Sequence, residues 1–303
     1  MSKAETFLVT GALGCIGAWT CVELVREGVP VVAFDLGDDR RRLELIASPE
    51  EVDRISFVRG DVTELGELEA VLSGHAITNV VHLAALQVPF CKADPVLGAR
   101  VNVVGTVNVF EAAKRHGIPT TIAFASSAAV YDAAGAIAPA THYGIYKLAN
   151  EGTARIYAAD DGVASIGLRP YTVYGPGRDQ GLTSSPTLAM AAAARGEPYR
   201  ISFGGRTQFH YAPDVARAFV AAARGPPDGA AVYNLGGPIV DMQELIAAIE
   251  EVSPEVRGLI EVEDTRLSFP DELPAPTLDV PLTPLADGVR ETIETFRAAK
   301  TPY

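Results

Sequence analysis

The chain of 303 residues is long enough for one large or two modest domains, and its 48% hydrophobic residues are ample for a substantial core. Its formal net charge of −13 argues against nonspecific binding to nucleic acid or to an anionic membrane. The three cysteines lack metal-ligand spacing, and neither a leader pattern nor an apolar run of about 18 residues is present. We therefore expect a cytoplasmic protein with reduced thiols, no bound metal and no membrane segment.

A strand, a glycine-rich turn and a helix open the chain. Residues 7–10 are apolar, and Gly11, Gly14 and Gly17 lead into helical periodicity over residues 15–27. Glycines in such a turn let a pyrophosphate approach the backbone closely, and the helix N-terminus offers it unpaired N–H groups. This arrangement is typical of dinucleotide-binding proteins, although a glycine triplet alone is weak support.

The second strand bears on the choice of cofactor. It is predicted over residues 29–34 and ends in Asp35, about 20 residues after the glycine turn. A carboxylate at this point accepts both ribose hydroxyls of NAD and repels the 2′-phosphate of NADP. Arg40, Arg41 and Arg42 offer positive charge for that phosphate, but we interpret them as the solvated start of the next helix. Asp35 carries more weight, so NAD is expected.

The third strand, over residues 55–59, leads to Asp61 and Val62. These two residues are placed to receive the adenine amine and to lie against the adenine ring. The alternative is an acidic residue that only precedes the next helix, which is predicted over residues 63–72 with Thr63 as its N-cap.

The fourth strand, over residues 79–82, runs into Leu83, Ala84 and Ala85, where small residues let the backbone pass close to the cofactor ribose. We expect His82 to be a packed core residue rather than a catalyst.

A long helix over residues 95–115 and a fifth strand over residues 120–125 follow, and the strand delivers Ser126 and Ser127. Strands that alternate with helices at this spacing predict an α/β fold, a parallel, doubly wound sheet of the Rossmann type.

Tyr143 and Lys147 are the candidate reactive groups. Four residues apart, they share one face of a helix, and an ammonium near a phenol lowers the tyrosine pKa from its usual value of about 10. Such a tyrosine exchanges a proton with a substrate alcohol or carbonyl, whose oxygen Ser127 is placed to hold. The alternative is an ordinary pair on an amphipathic helix, and only the preceding motifs favour the catalytic interpretation.

The pattern changes near residue 175, where proline-rich loops and short elements begin. We predict helices at 187–195, 214–224, 242–252 and 285–299, and strands at 164–168, 199–203, 208–211, 232–235 and 260–263. The strand at 232–235 is expected to return to the main sheet. The predicted NAD-binding domain is therefore 1–174 with a return segment at about 212–238, and a smaller C-terminal α/β substrate domain comprises 175–211 and 239–303.

In this order the motifs resemble the extended short-chain dehydrogenase/reductases, in the branch called NAD-dependent epimerase/dehydratase proteins. The residues that carry the resemblance are 10–17, Asp35, Asp61, Val62, 82–85, Asn102, Gly105, Thr106, 126–131, 143–147 and 169–176.

The resemblance implies NAD bound across the switch point of the sheet, with Tyr143 as the acid/base, Lys147 on the nicotinamide ribose and Ser127 on the substrate oxygen. It implies further cofactor contacts from Cys15, Ile16, Asn102, Ser126, Tyr171 and Val173. It also implies a homodimer in which the helices that begin near residues 95 and 143 pack into a four-helix bundle.

Departures from the nucleotide-sugar epimerases of this family concern the substrate. Thr172 stands where they usually carry asparagine, and Thr207 stands where they carry a diphosphate-binding arginine, with Arg206 one place away. The loop between Ser127 and Tyr143 is also shorter than theirs, so we expect a smaller substrate. The candidate substrate contacts are Gln87, Val88, Ser127, Tyr171, Thr172, Arg178, Arg206 and His210. Each arginine either binds a carboxylate or phosphate of the substrate or forms ion pairs within an acidic protein.

The leading hypothesis is an NAD-dependent dehydrogenase that acts on a secondary alcohol of a sugar, sugar acid or small polyol. The alternative is a sugar or nucleotide-sugar epimerase or dehydratase that keeps NAD tightly bound. A third class, a noncatalytic NAD sensor, is disfavoured because a sensor has no need of Ser127, Tyr143 and Lys147.

Overall fold

The computed structural model describes residues 5–226, 228–278 and 280–299. Its strands are β1 (Phe7–Thr10), β2 (Val31–Asp35), β3 (Ile55–Arg59), β4 (Asn79–His82), β5 (Ile122–Ala125), β6 (Ser165–Arg169), β7 (Thr172–Tyr174), β8 (Tyr199–Ile201), β9 (Arg206–Tyr211), β10 (Ala230–Leu235), β11 (Ile239–Asp241), β12 (Ile260–Val262) and β13 (Thr277–Leu278).

The helices are α1 (Cys15–Arg26), α2 (Arg41–Ile46), α3 (Pro49–Val52), α4 (Leu65–Gly74), α5 (Val88–Ala93), α6 (Pro95–Ala99), α7 (Gly105–His116), α8 (His142–Asp161), α9 (Ser185–Ala194), α10 (Ala212–Ala223), α11 (Met242–Val252) and α12 (Leu285–Ala298). Within the described ranges, none of these helices is both long and apolar enough to cross a membrane.

Eight strands form one parallel sheet in the order β13-β10-β6-β5-β4-β1-β2-β3. From β1 the chain first builds outward through β2 and β3 and then resumes on the other side of β1 with β4. The switch point therefore lies between β1 and β4, where doubly wound sheets bind their ligands at the carboxyl ends of the strands. The Rossmann-type fold predicted from the sequence is confirmed.

Apolar side chains cover both faces of this sheet. Successive residues of a strand point to opposite faces, so the neighbours Leu8 and Val9 of β1 reach separate clusters. Val9 packs in the cluster that contains Phe219 of α10, and Leu8 packs in the one that contains Phe110 of α7. Because both faces are buried, the strand ends are held in fixed register beside one another.

The helix predicted over residues 95–115 contains an irregular turn. Between α6 and α7 the chain forms a π-helical turn at Arg100–Val104. Asn102 Nδ2 donates to Gly98 O at 2.9 Å, so this carbonyl of the preceding turn accepts a hydrogen bond from a side chain. The wider π turn makes room for that side-chain bond.

The helix predicted to begin at Thr63 begins two residues later, at Leu65, with Glu64 as its N-cap. Thr63 N donates to Asp61 Oδ1 at 2.8 Å, and Glu64 N donates to Asp61 O at 3.0 Å. These two bonds to Asp61 form a turn over residues 61–64, and the helix begins only after this turn.

The remaining elements form a second, smaller region. Strand β9 lies between β7 and β11, and β8 pairs with β12. Helices α9, α11 and α12 pack together around Met190, Leu245 and Ile293. The strand expected at 232–235 does return to the main sheet as β10, and β13 joins it too, from inside the range assigned to the substrate domain. The division into two domains stays a prediction, and its residues 1–4, 227, 279 and 300–303 lie outside the described residues.

Candidate active site

A cavity of about 590 Å³ opens at the switch point of the sheet. It is lined by residues that follow the carboxyl ends of β1, β2, β4 and β5 and by the loop after β7. The residues predicted from the sequence that line it are Gly11, Gly14, Cys15, Ile16, Gly17, Asp35, Asp61, Val62, Leu83, Ala84, Ala85, Gln87, Val88, Ser126, Ser127, Tyr143, Lys147, Tyr171, Val173 and Arg178.

The turn after β1 is a cradle that only glycine can form. Gly11 has a φ of +67°, and a methyl group on it would lie 2.6 Å from Ala84 N. A methyl group on Gly17 would lie 2.1 Å from Gly11 O, whereas one on Gly14 would meet only Gly11 O, at 3.2 Å. Gly14 is the N-cap of α1 and supplies no side chain, so the first N–H groups of that helix are available to an anion. The cradle therefore fits a pyrophosphate group.

Asp35 is fixed at the end of β2 by two backbone amides. Its Oδ2 accepts from Leu13 N at 2.9 Å and its Oδ1 accepts from Gly37 N at 3.1 Å. Each carboxylate oxygen keeps a further lone pair for a ribose hydroxyl. The carboxylate is thus bonded to the glycine turn and is still able to bind a ribose. A dinucleotide needs these two binding groups side by side.

The three arginines after Asp35 are engaged with the protein. The Arg40 guanidinium lies 3.6 Å from the Phe57 ring centroid, and Arg41 and Arg42 both pair with Asp179, at 2.8 and 2.7 Å. The interpretation of this stretch as solvated is wrong for Arg42, whose side chain is only 13% exposed. Its Nη1 donates to Leu13 O at 2.9 Å, so Arg42 supports the glycine turn instead of facing water.

Helix α8 presents Tyr143 and Lys147 to the cavity. Its N-cap Thr141 accepts from Gly144 N at 3.0 Å, and a methyl group on Gly144 would lie 2.1 Å from Ala129 O, so the start of α8 is pressed against the segment after Ser127. Lys147 Nζ lies 5.5 Å from the Tyr143 ring centroid and donates to Ala125 O at 2.7 Å. Phenol, ammonium and serine hydroxyl therefore meet at the end of β5.

The acidity of Tyr143 differs from the expectation. Burial removes the phenol from water and raises the pKa of Tyr143, while a hydrogen bond with Ser127 and the positive charge of Arg178 lower it in part. Burial also lowers the pKa of Lys147 to about 8. Loss of solvation thus outweighs the favourable neighbours, and the protein by itself keeps the phenol neutral.

Behind Ser126 lies a buried polar network. Ser126 Oγ donates to Glu151 Oε1 at 2.5 Å, and Arg169 donates to both oxygens of Glu151, at 2.7 and 2.6 Å. Arg169 also donates to the Tyr131 hydroxyl, which bonds to Asn234 of β10. Glu151 lies one turn after Lys147 on α8, so the network ties the reactive face of that helix to the ends of β5 and β6.

Four predicted site residues do not reach the cavity: Asn102, Thr172, Arg206 and His210. Asn102 is fully buried and donates to Leu86 O at 3.1 Å, so it supports the loop after β4 from behind. Thr172 is also fully buried, with its hydroxyl 3.0 Å from that of Thr207. Arg206 is exposed at the start of β9, away from the cavity.

His210 is buried beneath Tyr171 and does not line the cavity either. Its Nδ1 accepts from Tyr171 N at 3.0 Å, and burial lowers the pKa of His210 to about 4. The imidazole is neutral and holds the Tyr171 backbone. The Tyr171 ring meets Phe269 edge-on with centroids 5.9 Å apart at the substrate end of the cavity. His82 is likewise buried and neutral, between Thr10 and Thr106.

Besides Lys147, Arg178 brings positive charge to the reactive end of the cavity. Its Nη2 donates to Thr183 Oγ1 at 3.2 Å, and its Nε is buried with no partner in the described protein. Burial lowers the pKa of Arg178, and the neighbouring Tyr143 and Cys15 partly oppose this. Gln87 is adjacent, because a methyl group on Gly181 would lie 1.9 Å from Gln87 Oε1 and 3.2 Å from Arg178 Nη2.

Sequence reasoning missed three residues that shape this site, Glu151, Asp179 and Phe269, and it interpreted Arg42 wrongly. Glu151 had a usable signal, since it lies four residues after Lys147 and hence on the same helix face. Asp179 and Arg42 are 137 residues apart, and Phe269 comes from a loop in the second region, so no local pattern connects them to the site.

Fold and cavity together define the class, a dinucleotide-dependent enzyme of the short-chain dehydrogenase/reductase type. A family model for the NAD dependent epimerase/dehydratase family matches residues 7–236. A UDP-glucose 4-epimerase from Mycolicibacterium smegmatis is 31% identical over 314 aligned positions, which cover 96% of this chain and 98% of that protein.

Two solved structures are similar over nearly their whole length. The Thermus thermophilus UDP-glucose 4-epimerase in complex with NAD has a TM-score of 0.79 at 25% identity, with coverage of 97% of this chain and 100% of that one. A partial consensus L-threonine 3-dehydrogenase has a TM-score of 0.82 at 25% identity, with coverage of 97% and 100%. The chain belongs to the NAD-dependent epimerase/dehydratase family, and it is an enzyme whose cofactor is NAD.

Proposed function

We propose that the protein is an NAD-dependent dehydrogenase that oxidises a secondary alcohol of a small hydroxy acid of the sugar-acid type. The observation that carries this proposal is the guanidinium of Arg178, whose buried Nε has no partner in the described protein and which lies close enough to Tyr143 to lower its pKa. A cation with a buried, unpaired N–H next to the reactive phenol suits a substrate that brings one negative charge.

The catalytic roles follow from the contacts. Tyr143, ionised to the phenolate, takes the hydroxyl proton of the substrate as its C–H hydride leaves, and Ser127 holds the same oxygen by a hydrogen bond. Lys147, fixed by Ala125 O, holds positive charge beside the phenol. Bound NAD supplies the ring that accepts the hydride. The Gly11–Gly17 turn, Asp35 and the pair Asp61 and Val62 hold its pyrophosphate, adenosine ribose and adenine, in that order.

Charge balance favours a small acid over a nucleotide diphosphate. Three basic residues line the cavity within the described part of the chain: Arg42, Lys147 and Arg178. Arg42 is bonded to Asp179 and Lys147 to Ala125 O, which leaves Arg178 for the substrate. Thr207 stands where nucleotide-sugar epimerases carry a diphosphate-binding arginine, and its hydroxyl lies 3.0 Å from that of Thr172. This position therefore offers no cation to a substrate diphosphate.

A second candidate is a nucleotide-sugar epimerase, which the names of the relatives favour. The Mycolicibacterium smegmatis and Thermus thermophilus proteins are both named UDP-glucose 4-epimerases. The L-threonine 3-dehydrogenase structure, in contrast, is named for oxidation of a small molecule that carries a carboxylate. Release of free NADH distinguishes the two activities, because an epimerase returns the hydride to its product.

The decisive experiment compares sugar acids, the corresponding neutral polyols and UDP-sugars as substrates, with NADH absorbance and product identity as readouts. We expect NADH to accumulate with an acid. Interconversion of UDP-sugars without NADH release would contradict the proposal and support the epimerase.

The Arg178→Met variant tests the recognition of the carboxylate. Loss of a charge-assisted contact should lower kcat/KM for the acid by about 10- to 100-fold. The value for the neutral polyol should fall much less, since it loses only the effect of Arg178 on the pKa of Tyr143. Arg206→Met is the matched control, because Arg206 is exposed and lies outside the cavity, and it should leave both values unchanged. Equal losses for the acid and the polyol would refute the role of Arg178.

We further propose that the enzyme is a cytoplasmic homodimer that packs through α6, α7 and α8. Exposed large apolar side chains on α6, on the π turn and on α8 support a partner surface: Val96, Leu97, Val104, Ile145 and Ile156. All three cysteines are free thiols, in keeping with a reducing compartment.

A further inference from the structure

The loop of residues 175–183, here called the strap, is fastened on one side by an ion pair. Asp179 Oδ1 accepts from Arg42 Nε at 3.0 Å and from Arg42 Nη2 at 2.7 Å, and Asp179 Oδ2 accepts from Arg41 Nη2 at 2.8 Å. The side chains of Asp179 and Arg42 are each 13% exposed. A nearly buried carboxylate shared by two guanidiniums is a strong fastening compared with an ordinary surface pair.

A second contact fastens the start of the strap to α1. Trp19 Nε1 donates to Pro176 O at 2.9 Å. Gly175, Gly177 and Gly181 have φ values of +126°, +89° and +101°, so the strap changes direction at positions where other residues would be strained. Between its two fastenings the strap contains no helix or strand.

The strap runs along the cofactor end of the cavity, and the Arg178 side chain extends from it toward Tyr143 at the reactive end. Gly177, Arg178 and Asp179 line the same space as Gly14 and Asp35. One fastening reaches α1, which follows the glycine turn, and the other reaches the arginines that follow Asp35. The strap therefore bridges the two elements that would hold the pyrophosphate and the ribose.

We propose that Asp179 is a positioning residue that keeps the strap closed over bound NAD, and that its ion pairs with Arg41 and Arg42 set how slowly NAD leaves. The inference needs NAD at the family's site but does not depend on the identity of the substrate. Because Arg178 is the adjacent residue of the strap, the same fastening also fixes the guanidinium that faces the substrate.

NADH is the probe for the first test. The rate at which it leaves the purified full-length protein is measured by its fluorescence after addition of excess NAD, with no substrate present. In Asp179→Asn we expect dissociation to be faster by about tenfold or more, which corresponds to about 1.4 kcal/mol. Asp179→Glu keeps the carboxylate and should restore slow release.

Glu261→Gln is the matched control. Glu261 Oε2 accepts from Arg200 Nε and Nη2 at 3.0 and 2.5 Å, the same geometry as Arg42 with Asp179, but this pair is exposed and lies outside the cavity. It should leave NADH release unchanged. A release rate in Asp179→Asn that is equal to or slower than that of the control overturns the inference. In that case the main effect of the substitution would be that Arg41 and Arg42, no longer paired with Asp179, attract the pyrophosphate of the cofactor.

Hydrogen exchange of the cofactor-free protein gives a second readout that is separate from catalysis. Arg178 N and Asp179 N donate within the strap, to Gly175 O and Gly177 O. In Asp179→Asn these amides should exchange faster, while those of α9, which follows the strap, keep their protection. Unchanged exchange in the strap would contradict a fastening role.

Discussion

In the protein without NAD or substrate, the surroundings of the Tyr143 phenol oppose its ionisation. Burial raises its pKa, and Ser127 and Arg178 only partly compensate. A neutral phenol is the form that donates a proton to a carbonyl, so the protein alone is set for the reductive direction. Oxidation requires the ionised form, which a positively charged nicotinamide ring beside Tyr143 would favour.

Tyr143→Phe removes the hydroxyl and keeps the ring. Turnover should fall by about 10²- to 10⁴-fold, the range for loss of a general acid or base, while the dissociation constant for NAD stays within about twofold. Steady-state rates and NADH fluorescence titration measure the two quantities. Retained turnover would remove Tyr143 from the mechanism.

The sequence locates residues of the cavity where their position in the chain is enough to place them. Gly11, Gly17 and Asp35 follow strand ends within a short segment, and all three line the cavity. The acidity of Tyr143 was not predictable in the same way, because desolvation depends on everything that covers the phenol. A spacing of four residues locates Lys147 but does not give the solvation of either group.

At the scale of elements, α8 is attached to the end of β5 at two successive turns. Lys147 donates to Ala125 O, and Glu151 accepts from Ser126 while it pairs with Arg169. The side chains of Glu151 and Arg169 are 6% and 7% exposed. This attachment holds Tyr143 of α8 at a fixed distance from Ser127, which follows Ser126 at the end of β5.

Glu151→Gln should therefore destabilise the protein strongly. Breaking a buried pair leaves the Arg169 charge uncompensated, and we expect the free energy of unfolding to fall by about 3 kcal/mol in urea denaturation. The double variant Glu151→Leu/Arg169→Met should recover part of this loss, because it removes both buried charges.

Glu261→Gln again serves as the comparison, because its exposed pair should cost less than about 1 kcal/mol. The prediction fails if the two single variants unfold at the same urea concentration.

Element positions were predictable from periodicity, and their ends were not. The predicted bounds of α11, residues 242–252, match the structure, in which Asp241 and Glu244 form a capping box at its N-terminus. The π turn at Arg100–Val104 and the late start of α4 depend on side-chain contacts to backbone by Asn102 and Asp61, which propensity does not encode.

The molecule as a whole presents an apolar surface on neighbouring helices. Val104 is 45% exposed on the π turn, and Ile145 and Ile156 are 50% and 60% exposed on α8. Side chains of this size at a helix surface are expected where a second copy covers them.

Ile156→Asp should convert the proposed dimer to a monomer at micromolar concentration, because a charge would be buried at the interface. Sedimentation velocity measures the change. Leu259→Asp alters an apolar residue that is 40% exposed outside these helices, so it should leave the dimer intact. A wild-type protein that sediments as a monomer would rule out the interface.

Strand β13 has a consequence for synthesis of the protein. It pairs Thr277 and Leu278 with Asn234 and Leu235 and so covers the end of the outer edge of β10. A ribosome that has made β10 but not yet residues 277–278 carries a sheet with that edge open, and open edges pair readily with other nascent chains. We therefore expect newly made protein to be prone to aggregate at this late stage of translation, when the other strands of the sheet have been made and its last strand has not yet been added.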